Sequence, residues 1–253
     1  MKICIISSID CSNYLSRIGS ELENVSVLVP SPGVEPLFPE SCVKKLRKLN
    51  CKVEFISHKE EVLLKRLKEL HVNVLISIGW RWILSEKVIN SVNTCINIHP
   101  AILPDYKGYH TEPYVIKNGE SLHGITAHYL TKGLDDGDII MQEKFPITPF
   151  STVKSLKNKV ESRAGAFFSK LFKLIQDNKV VGVPQSKTKK TTLAKKRRPS
   201  DSEIDPTLSL SVLFNDIRCC DPELYPAFFY ISGRKVGVKL FSIDATKDDD
   251  FDI

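Results

Sequence analysis

The segment VNTCINIHP, residues 92–100, is an apolar run of strand character that ends in two polar side chains. Asn97 and His99 stand two positions apart, and side chains at i and i+2 of an extended strand point to the same face. Pro100 and Pro104 follow, and proline disfavours both the continuation of strand hydrogen bonding and the start of a regular helix interior. Taken alone, an Asn-x-His pair is more often a turn residue beside a structural histidine. At the carboxyl end of a strand in an open α/β sheet, however, the pair would stand where such folds place catalytic groups.

Apolar runs rich in Ile and Val alternate with helical patterns on both sides of this segment. The pattern predicts strands over residues 2–7, 25–29, 52–56 and 72–78, extended segments over residues 123–131 and 138–147, and helices over residues 40–49, 112–118 and 152–178. Another amphipathic helix is predicted after Ser57, which resembles a capping box with Glu60. Such alternation is typical of parallel sheets with covered faces. We therefore expect a Rossmann-like, mostly parallel α/β sheet with helices on both faces.

The composition changes near residue 187. A basic tract over residues 187–198 carries seven of the chain's 36 Lys and Arg residues. The pattern then predicts a helix over residues 208–219 and strands over residues 227–231 and 236–241, around a turn at Ser232 and Gly233. We therefore expect a catalytic α/β domain at residues 1–185, followed by a basic linker and a small C-terminal β-hairpin subdomain at residues 186–253.

Composition favours a globular protein of a reducing compartment. The 253 residues include seven cysteines, an odd number with neither the spacing of a metal site nor that of a disulfide framework. No apolar window reaches the length that a membrane span needs, and residues 2–7 have the character of a first strand. We therefore expect a soluble, cytoplasmic protein. The net charge of +6 is modest, and we interpret the basic tract as a solvated connector in preference to a nucleic-acid site.

The segment LDDGDII, residues 134–140, places three carboxylates within four residues. The spacing lacks the glycine and the distal Glu of an EF-hand calcium loop, and a solvated turn is the simplest interpretation. The strand pattern GITAH, residues 124–128, precedes this turn and carries another polar pair, Thr126 and His128, at i and i+2. Two strands that deliver Asn, His and Asp side chains to one sheet edge would form a compact acid–base site.

Together these motifs resemble the formyltransferase family that uses 10-formyltetrahydrofolate, whose members formylate glycinamide ribonucleotide, methionyl-tRNA or nucleotide sugars. The resemblance is carried in order by residues 97–108, 124–128 and 134–139, within the part of the chain from residue 72 to residue 178. Three ordered motifs make the resemblance specific, whereas a lone Asn-x-His would not. It implies that 10-formyltetrahydrofolate is the cosubstrate and that no metal is required.

The resemblance implies catalytic roles for Asn97, His99 and Asp135. Asp135 is chosen over Asp136 because the family's aspartate stands two residues before a glycine, here Gly137. Asn97 and His99 would donate hydrogen bonds to the formyl oxygen as an amine attacks the formyl carbon. Asp135 would orient His99 and help to move the proton of the amine.

The same resemblance places the folate pocket at the segment GWRWIL, residues 79–84. It implies folate contacts, largely through backbone groups, from Trp80, Arg81, Trp82, Ile83, Leu84 and Asp136. The two tryptophans, which are the only two in the chain, suit an aromatic lining. Core packing beneath a loop would explain each tryptophan equally well.

The acceptor is expected to be recognised outside the shared core. The first loop, residues 7–11, has no glycine-rich phosphate cradle, which weighs against glycinamide ribonucleotide. Residues 196–228 resemble the linker and the start of the second domain in methionyl-tRNA and nucleotide-sugar members, and only about a hairpin's length follows. We therefore expect a nucleotide sugar of the dTDP-linked 3-amino or 4-amino dideoxyhexose type, made for a bacterial surface glycan such as the O-antigen of lipopolysaccharide. Contacts to it are expected from Arg81, Tyr106, Lys107, Tyr109 and Tyr225.

Family members with a short C-terminal β unit commonly form homodimers through it, and Phe228, Tyr230 and Val238 would supply an apolar face for such a dimer here. Two alternatives stay open. One is methionyl-tRNA or another amine as the acceptor, and the other is a non-catalytic RNA-binding module that uses the basic tract. A formyltetrahydrofolate hydrolase is less consistent with the sequence, because that subfamily has an additional N-terminal regulatory domain.

Overall fold

The computed structural model describes residues 1–34, 37–186, 192–241 and 243 of the chain. Its strands are β1 (Ile3–Ser7), β2 (Val25–Pro30), β3 (Lys52–Ile56), β4 (Val74–Ile78), β5 (Thr94–His99), β6 (Lys107–Gly108), β7 (Leu122–Tyr129), β8 (Ile139–Pro146), β9 (Leu193–Ala194), β10 (Ala227–Ile231) and β11 (Arg234–Val238). Its α-helices are α1 (Ser12–Leu15), α2 (Glu40–Lys48), α3 (Glu60–Glu69), α4 (Glu86–Ile89), α5 (Thr111–Lys117), α6 (Val153–Gln176) and α7 (Leu210–Arg218). Short 3-10 helices cover Gly19–Asn24 and Pro199–Ser202.

The main sheet has seven strands in the order β3-β2-β1-β4-β5-β7-β8. The pairs β1–β2, β2–β3, β1–β4 and β4–β5 are parallel, whereas β5 and β7 pair antiparallel. All five residues of β1 and of β4 are buried. Because alternate side chains of a strand point to opposite faces, both faces of the central sheet are covered. The mostly parallel α/β fold predicted from the sequence is confirmed.

The strand order reverses between β1 and β4, since β2 and β3 lie on one side of β1 while β4 and β5 lie on the other. Open α/β sheets bind ligands at the carboxyl ends of the strands that flank such a reversal. The carboxyl ends of β1, β4 and β5 lead into residues 7–11, 79–84 and 97–104. These are three of the segments that the sequence singles out.

The residues form two compact units. Unit 1 contains Met1–His99, Thr126–Glu143 and Glu161–Lys187, and unit 2 contains Pro100–Ile125, Lys144–Val160 and Thr188–Ile253. Each unit therefore takes segments from several parts of the chain. The division into residues 1–185 and 186–253 stays a prediction.

Strands β10 and β11 form an antiparallel hairpin in unit 2, with Ile231 paired to Arg234. Ser232 and Gly233 between them both have positive φ, which is the conformation of a tight two-residue hairpin turn. The predicted small C-terminal β unit is confirmed, although its second strand begins at Arg234 instead of residue 236 because pairing resumes directly after the turn. Dimerisation through this hairpin and a cytoplasmic location stay predictions. No helix in the described segments combines the length and the apolarity that crossing a bilayer requires.

Helix α3 begins at Glu60, with Lys59 as its N-cap residue and no side-chain cap. Ser57 Oγ instead accepts a hydrogen bond from Lys59 N over 3.3 Å. The capping box predicted from Ser57 and Glu60 is therefore wrong. The spacing fits the motif, but the backbone is still extended at Lys59, with φ −63° and ψ 135°.

Candidate active site

The carboxyl end of β5 and the loop after β7 bring together the three side chains that the sequence predicts to be catalytic. Asn97 Nδ2 donates a hydrogen bond to Asp135 Oδ1 over 3.2 Å. Asp135 Oδ2 lies 3.6 Å from His99 Nδ1. The side chains of His99 and Asp135 are only 4% and 10% exposed, so their interaction is screened less than it would be at the surface.

His128 is a fourth member of this cluster and is missing from the predicted catalytic set. It lies opposite Asn97 in the pairing of β5 with β7, and its Nε2 is 3.2 Å from Asn97 Nδ2 and 3.4 Å from Asp135 Oδ1. Its Nδ1 lies 2.9 Å from the carbonyl oxygen of Tyr129. A carbonyl can only accept, so Nδ1 carries the proton, and Nε2 of the neutral ring accepts from Asn97. The polar pair in GITAH is the sequence signal that could have identified His128.

The two hydrogens of the Asn97 amide therefore have two acceptors, Asp135 and His128. A ligand oxygen that accepts from Asn97 must replace one of them. Protonation of His128 at Nε2 would remove the second acceptor and place a cation 3.4 Å from Asp135 Oδ1. A proton taken up by the cluster would thus make one Asn97 hydrogen available to a ligand.

The backbone of the loop after β7 orients Asp135. Asp135 has φ +47°, a left-handed conformation that is costly for a residue with a β-carbon. A β-carbon on Gly137 would lie 1.9 Å from the Tyr129 carbonyl oxygen, so this position requires glycine. Gln185 Nε2 donates to the carbonyl oxygens of Asp135 and Gly137, over 2.8 Å in each case. No sequence signal indicates Gln185, which follows α6 and stands 50 positions from Asp135.

The side chain of Asp136 makes its contact within the loop after β7. Its exposed carboxylate accepts a hydrogen bond from Thr131 Oγ1, and Thr131 Oγ1 accepts one from Gly133 N over 3.2 Å. A β-carbon on Gly133 would collide with the Asp136 carboxylate. Of the two neighbouring aspartates, Asp135 is therefore the one that joins Asn97 and His99, and the folate contact of Asp136 stays a prediction.

The segment after β4 contains the two tryptophans. Trp80 packs against the hydrophobic core of unit 1, and its Nε1–H is buried with no hydrogen-bond partner in the described part of the chain. Trp82 stacks on His58, with ring centroids 4.5 Å apart and an interplanar angle of 5°. The two tryptophan rings meet edge-on at 4.9 Å. Both tryptophans are half-buried, and their contacts with folate stay a prediction.

Ile83 and Leu84, the next two residues, differ in exposure. Ile83 is 84% exposed, whereas Leu84 is 7% exposed and belongs to the core, so a folate contact of Leu84 would come from its backbone. Both residues line a cleft of about 430 Å³ together with His58. Arg81 is partly buried, and burial lowers the pKa of its guanidinium. Its backbone N–H donates to Ser8 Oγ over 3.4 Å.

The other residues predicted to bind the acceptor lie in unit 2. Tyr106 is 5% exposed, and its hydroxyl donates to Glu120 Oε1 over 2.6 Å. Burial, together with this carboxylate, raises the pKa of Tyr106. Lys107 begins β6, which pairs with β9, while Tyr109 and Tyr225 are exposed. Their roles in binding stay predictions, and the Tyr106 hydroxyl is already engaged.

The described residues contain no group of three or more His, Cys, Asp or Glu side chains arranged to hold a metal ion. The cluster of Asn97, His99, His128 and Asp135 is a set of donors and acceptors. Such a set can stabilise a developing negative charge and exchange a proton.

A family profile described as formyl transferase matches residues 39–171. The methionyl-tRNA formyltransferase of Ehrlichia ruminantium (strain Gardel) is 31% identical over 175 residues, which are 68% of this chain and 55% of that protein. A 4-N formyltransferase from Francisella tularensis has 23% identity and a TM-score of 0.75, over 94% of this chain and 97% of that chain. The N-formyltransferase from Helicobacter canadensis, solved with folinic acid and dTDP-3-aminofucose, has 21% identity and a TM-score of 0.68, over 93% and 86% of the two chains.

The chain spans about half the length of the curated relatives it matches. The matched region, residues 39–171, includes all four residues of the cluster. Gln185 lies beyond it. The likeness to the solved structures shows the fold.

Proposed function

This chain belongs to the formyl transferase family, and we propose that it transfers the formyl group of 10-formyltetrahydrofolate to the amino group of a nucleotide-linked amino sugar. The proposed reaction rests on one observation, which is that four polar side chains meet in one cluster: Asn97, His99, His128 and Asp135. The cluster offers donors for a developing oxyanion beside acceptors for a proton. Acyl transfer from one nitrogen to another requires both.

Asn97 and His99 supply the oxyanion donors. Negative charge develops on the formyl oxygen as the amine attacks, and one preorganised donor to such an oxygen lowers the barrier by about 2.7–4 kcal/mol. Because His99 Nδ1 faces Asp135 Oδ2 at 3.6 Å, we assign Nε2 as the ring atom that donates to the formyl oxygen. Asn97 donates once the formyl oxygen has replaced one of its two acceptors.

Asp135 and His128 accept the proton. The attacking amine must lose one proton, and one is returned to the folate nitrogen from which the formyl carbon departs. Asp135 takes the proton directly or through water, and His128 Nε2, 3.4 Å from Asp135 Oδ1, shares it. A protonated Nε2 no longer accepts from Asn97, so proton uptake favours donation to the oxyanion.

Residues of unit 1 fit a pterin-bearing cosubstrate, which supplies an activated formyl group. The buried Trp80 Nε1–H has no partner in the described residues and offers a donor to a polar heterocycle. The cleft of about 430 Å³ is lined by His58, which stacks on Trp82, and its volume is within the range of small-ligand pockets. The Helicobacter canadensis protein, solved with folinic acid, supports the same ligand class.

A nucleotide sugar is favoured as the acceptor by two observations. The loop of residues 7–11 has no glycine, and Asp10 places a carboxylate there that pairs with Lys45 over 2.8 Å, which disfavours a phosphate at this strand end. The Helicobacter canadensis protein, solved with dTDP-3-aminofucose, aligns with 93% of this chain. We propose Arg81 as a contact to the diphosphate, because a guanidinium binds phosphate in a bidentate manner.

Methionyl-tRNA is the second candidate acceptor. The Ehrlichia ruminantium methionyl-tRNA formyltransferase is 31% identical over 68% of this chain, a higher identity than that of either solved structure described above. The basic residues at 195–198 would supply contacts to a polyanion.

An acceptor panel tests the proposal. The protein is incubated with 10-formyltetrahydrofolate and, separately, with dTDP-linked 3-amino and 4-amino dideoxyhexoses, methionyl-tRNA and glycinamide ribonucleotide, and formylated product is measured by mass spectrometry. We expect a dTDP-amino sugar to be formylated with a kcat/KM at least about a hundredfold above the other amines. Formylation of methionyl-tRNA alone would contradict the sugar assignment. Formylation of none of these amines would overturn the proposed reaction.

A further inference from the structure

Gln185 contacts the loop that carries Asp135 without taking part in the cluster itself. Its carboxamide nitrogen bridges the carbonyl oxygens of Asp135 and Gly137, over 2.8 Å in each case. Both hydrogens of the amide are thereby used on the backbone of one tight loop. A planar carboxamide with two donors fixes the two carbonyl groups relative to each other.

Two further contacts join the segment before Gln185 to the same loop. Val183 N donates to Ile139 O and Ile139 N donates to Val183 O, both over 2.8 Å. A β-carbon on Gly182 would lie 2.6 Å from Asp138 Cβ and 2.8 Å from the Tyr129 ring. Residues 182–185 are therefore closely packed against the loop.

The loop conformation needs such support. Asp135 is held at φ +47°, and a non-glycine residue in this region persists only where its surroundings determine it. The side-chain direction of Asp135 follows from this backbone conformation. Its contacts with Asn97 and His99, at 3.2 and 3.6 Å, therefore depend on the carbonyl groups that Gln185 holds.

The other end of the Gln185 carboxamide argues against a role in stability alone. Its Oε1 is buried without a hydrogen-bond partner in the described residues. A buried unpaired acceptor is costly, and groups of this kind in native structures call for an explanation. An apolar side chain at position 185 would avoid that cost, but it could not donate to the two carbonyls.

We infer that Gln185 is a positioning residue, which acts through the backbone of residues 135–137 to hold the Asp135 carboxylate against Asn97 and His99. The expected effect of Gln185 on catalysis rests on the proposed function. Its expected effect on the geometry of the cluster does not, because that effect can be measured without turnover. A carboxylate at position 185 would present acceptors to two carbonyl oxygens, so the requirement is for an amide and not merely for a side chain of this size.

The experiment compares Gln185→Ala and Gln185→Glu with Gln176→Ala. Gln176 is a matched control, because its carboxamide is also hydrogen-bonded, to Glu21 over 2.8 Å, but at an exposed position. We expect both Gln185 variants to lower kcat at least about tenfold, since small misplacements of catalytic groups have such effects. The KM values should change less than about threefold, and the pH–rate profile should shift. Gln176→Ala should match the wild type in kcat, KM and pH profile.

NMR spectra of the His99 and His128 rings, recorded at one fixed pH, separate failure of this inference from failure of the proposed function. We expect the ring chemical shifts of both histidines to change in Gln185→Ala and to stay unchanged in Gln176→Ala, whether or not any acceptor is turned over. Folded Gln185 variants in which both histidine rings keep their wild-type chemical shifts would overturn the inference. So would a loss of kcat that only follows the loss of folded protein, measured by circular dichroism.

Discussion

The amide of Asn97 donates to Asp135 Oδ1 over 3.2 Å, although 38 positions separate the two residues in the chain. The contact forms because β5 and β7 pair with Asn97 opposite His128, and because the loop after β7 turns Asp135 back at φ +47°. Asn97 thereby links the donors proposed for the oxyanion to the acceptors proposed for the proton. Substitutions within the cluster should therefore have non-additive effects on kcat/KM.

Replacing His128 by alanine is expected to lower kcat about a hundredfold, the lower end of what a general acid–base group contributes. The change removes the acceptor of one Asn97 hydrogen and the group that shares a proton with Asp135. Steady-state formylation kinetics check this, and His71→Ala, at an exposed position, is the control. Equal kcat values for the wild type and His128→Ala would exclude the assigned role.

Replacing Gly137 by alanine is expected to destabilise the protein by about 1–3 kcal/mol, the usual cost of forcing atoms into a packed site. The new β-carbon would lie 1.9 Å from the Tyr129 carbonyl oxygen, so the loop must move. Thermal unfolding measures the change, with Gly237→Ala as the control because its β-carbon would meet nothing closer than 3.9 Å. Similar midpoints for the two variants would show that the loop is not constrained at Gly137.

Glu112 is expected to make stability depend on pH. It lies buried in the first turn of α5, and burial raises its pKa against the opposing effects of its own backbone N–H, of Lys157 and of Thr111. A carboxyl with a raised pKa in the folded state stabilises the fold fully below its unfolded pKa, and this stability is lost as the pH rises through the folded pKa. Glu112→Gln should therefore gain stability relative to the wild type from pH 4 towards pH 8. Thermal unfolding of both proteins measures this. A difference between their unfolding midpoints that stays constant from pH 4 to pH 8 would contradict the expectation.

Cys220 is expected to titrate well below the other cysteines. Hydrogen bonding to the Cys219 thiol has the largest effect on Cys220 and, together with Ser202 and Arg197, lowers the pKa of Cys220 to about 6, whereas burial opposes this change. Arg197 Nη2 lies 3.6 Å from Cys220 Sγ. This ionisation stabilises the fold at high pH, and the contribution is lost as the pH falls from the ordinary value of 9.0 through about 6.

Ultraviolet absorbance of the thiolate measures this titration. One thiolate should disappear as the pH falls through about 6, because burial raises the pKa of Cys4, Cys11, Cys42, Cys51 and Cys95. Cys220→Ser should abolish the step, and Arg197→Gln should move it to higher pH. A wild-type protein with no thiolate absorbance below pH 8 would contradict the assignment.

The sheet and the strand ends at the site could be predicted from the sequence. A strand buried on both faces is an uninterrupted apolar run, and the polar residues that end the run mark the carboxyl end, as Asn97 and His99 do for β5. The sequence pattern alone does not distinguish Asp135 from Asp136, and the assignment of Asp135 rests on the family resemblance. In the structure, Asp135 has positive φ, and the two aspartates contact different partners: Asp135 contacts Asn97, and Asp136 contacts Thr131.

The remaining contacts could not be predicted, because they depend on register and on tertiary packing. The pairing of Asn97 with His128 requires the register of two antiparallel strands, which no local pattern specifies. Gln185 reaches the loop from beyond a helix of 24 residues. Composition also could not distinguish Trp80, which packs on the core, from Trp82, which stacks on His58.

The rate of formyl transfer by Asn97→Ala, measured with saturating 10-formyltetrahydrofolate and dTDP-amino sugar, tests the central claim most directly. With the fold retained by circular dichroism, we expect kcat to fall by about 10²–10³, the usual effect of removing one oxyanion donor. His99→Ala should show a comparable loss. An Asn97→Ala protein that forms the N-formyl product at the wild-type rate would contradict the role assigned to this cluster.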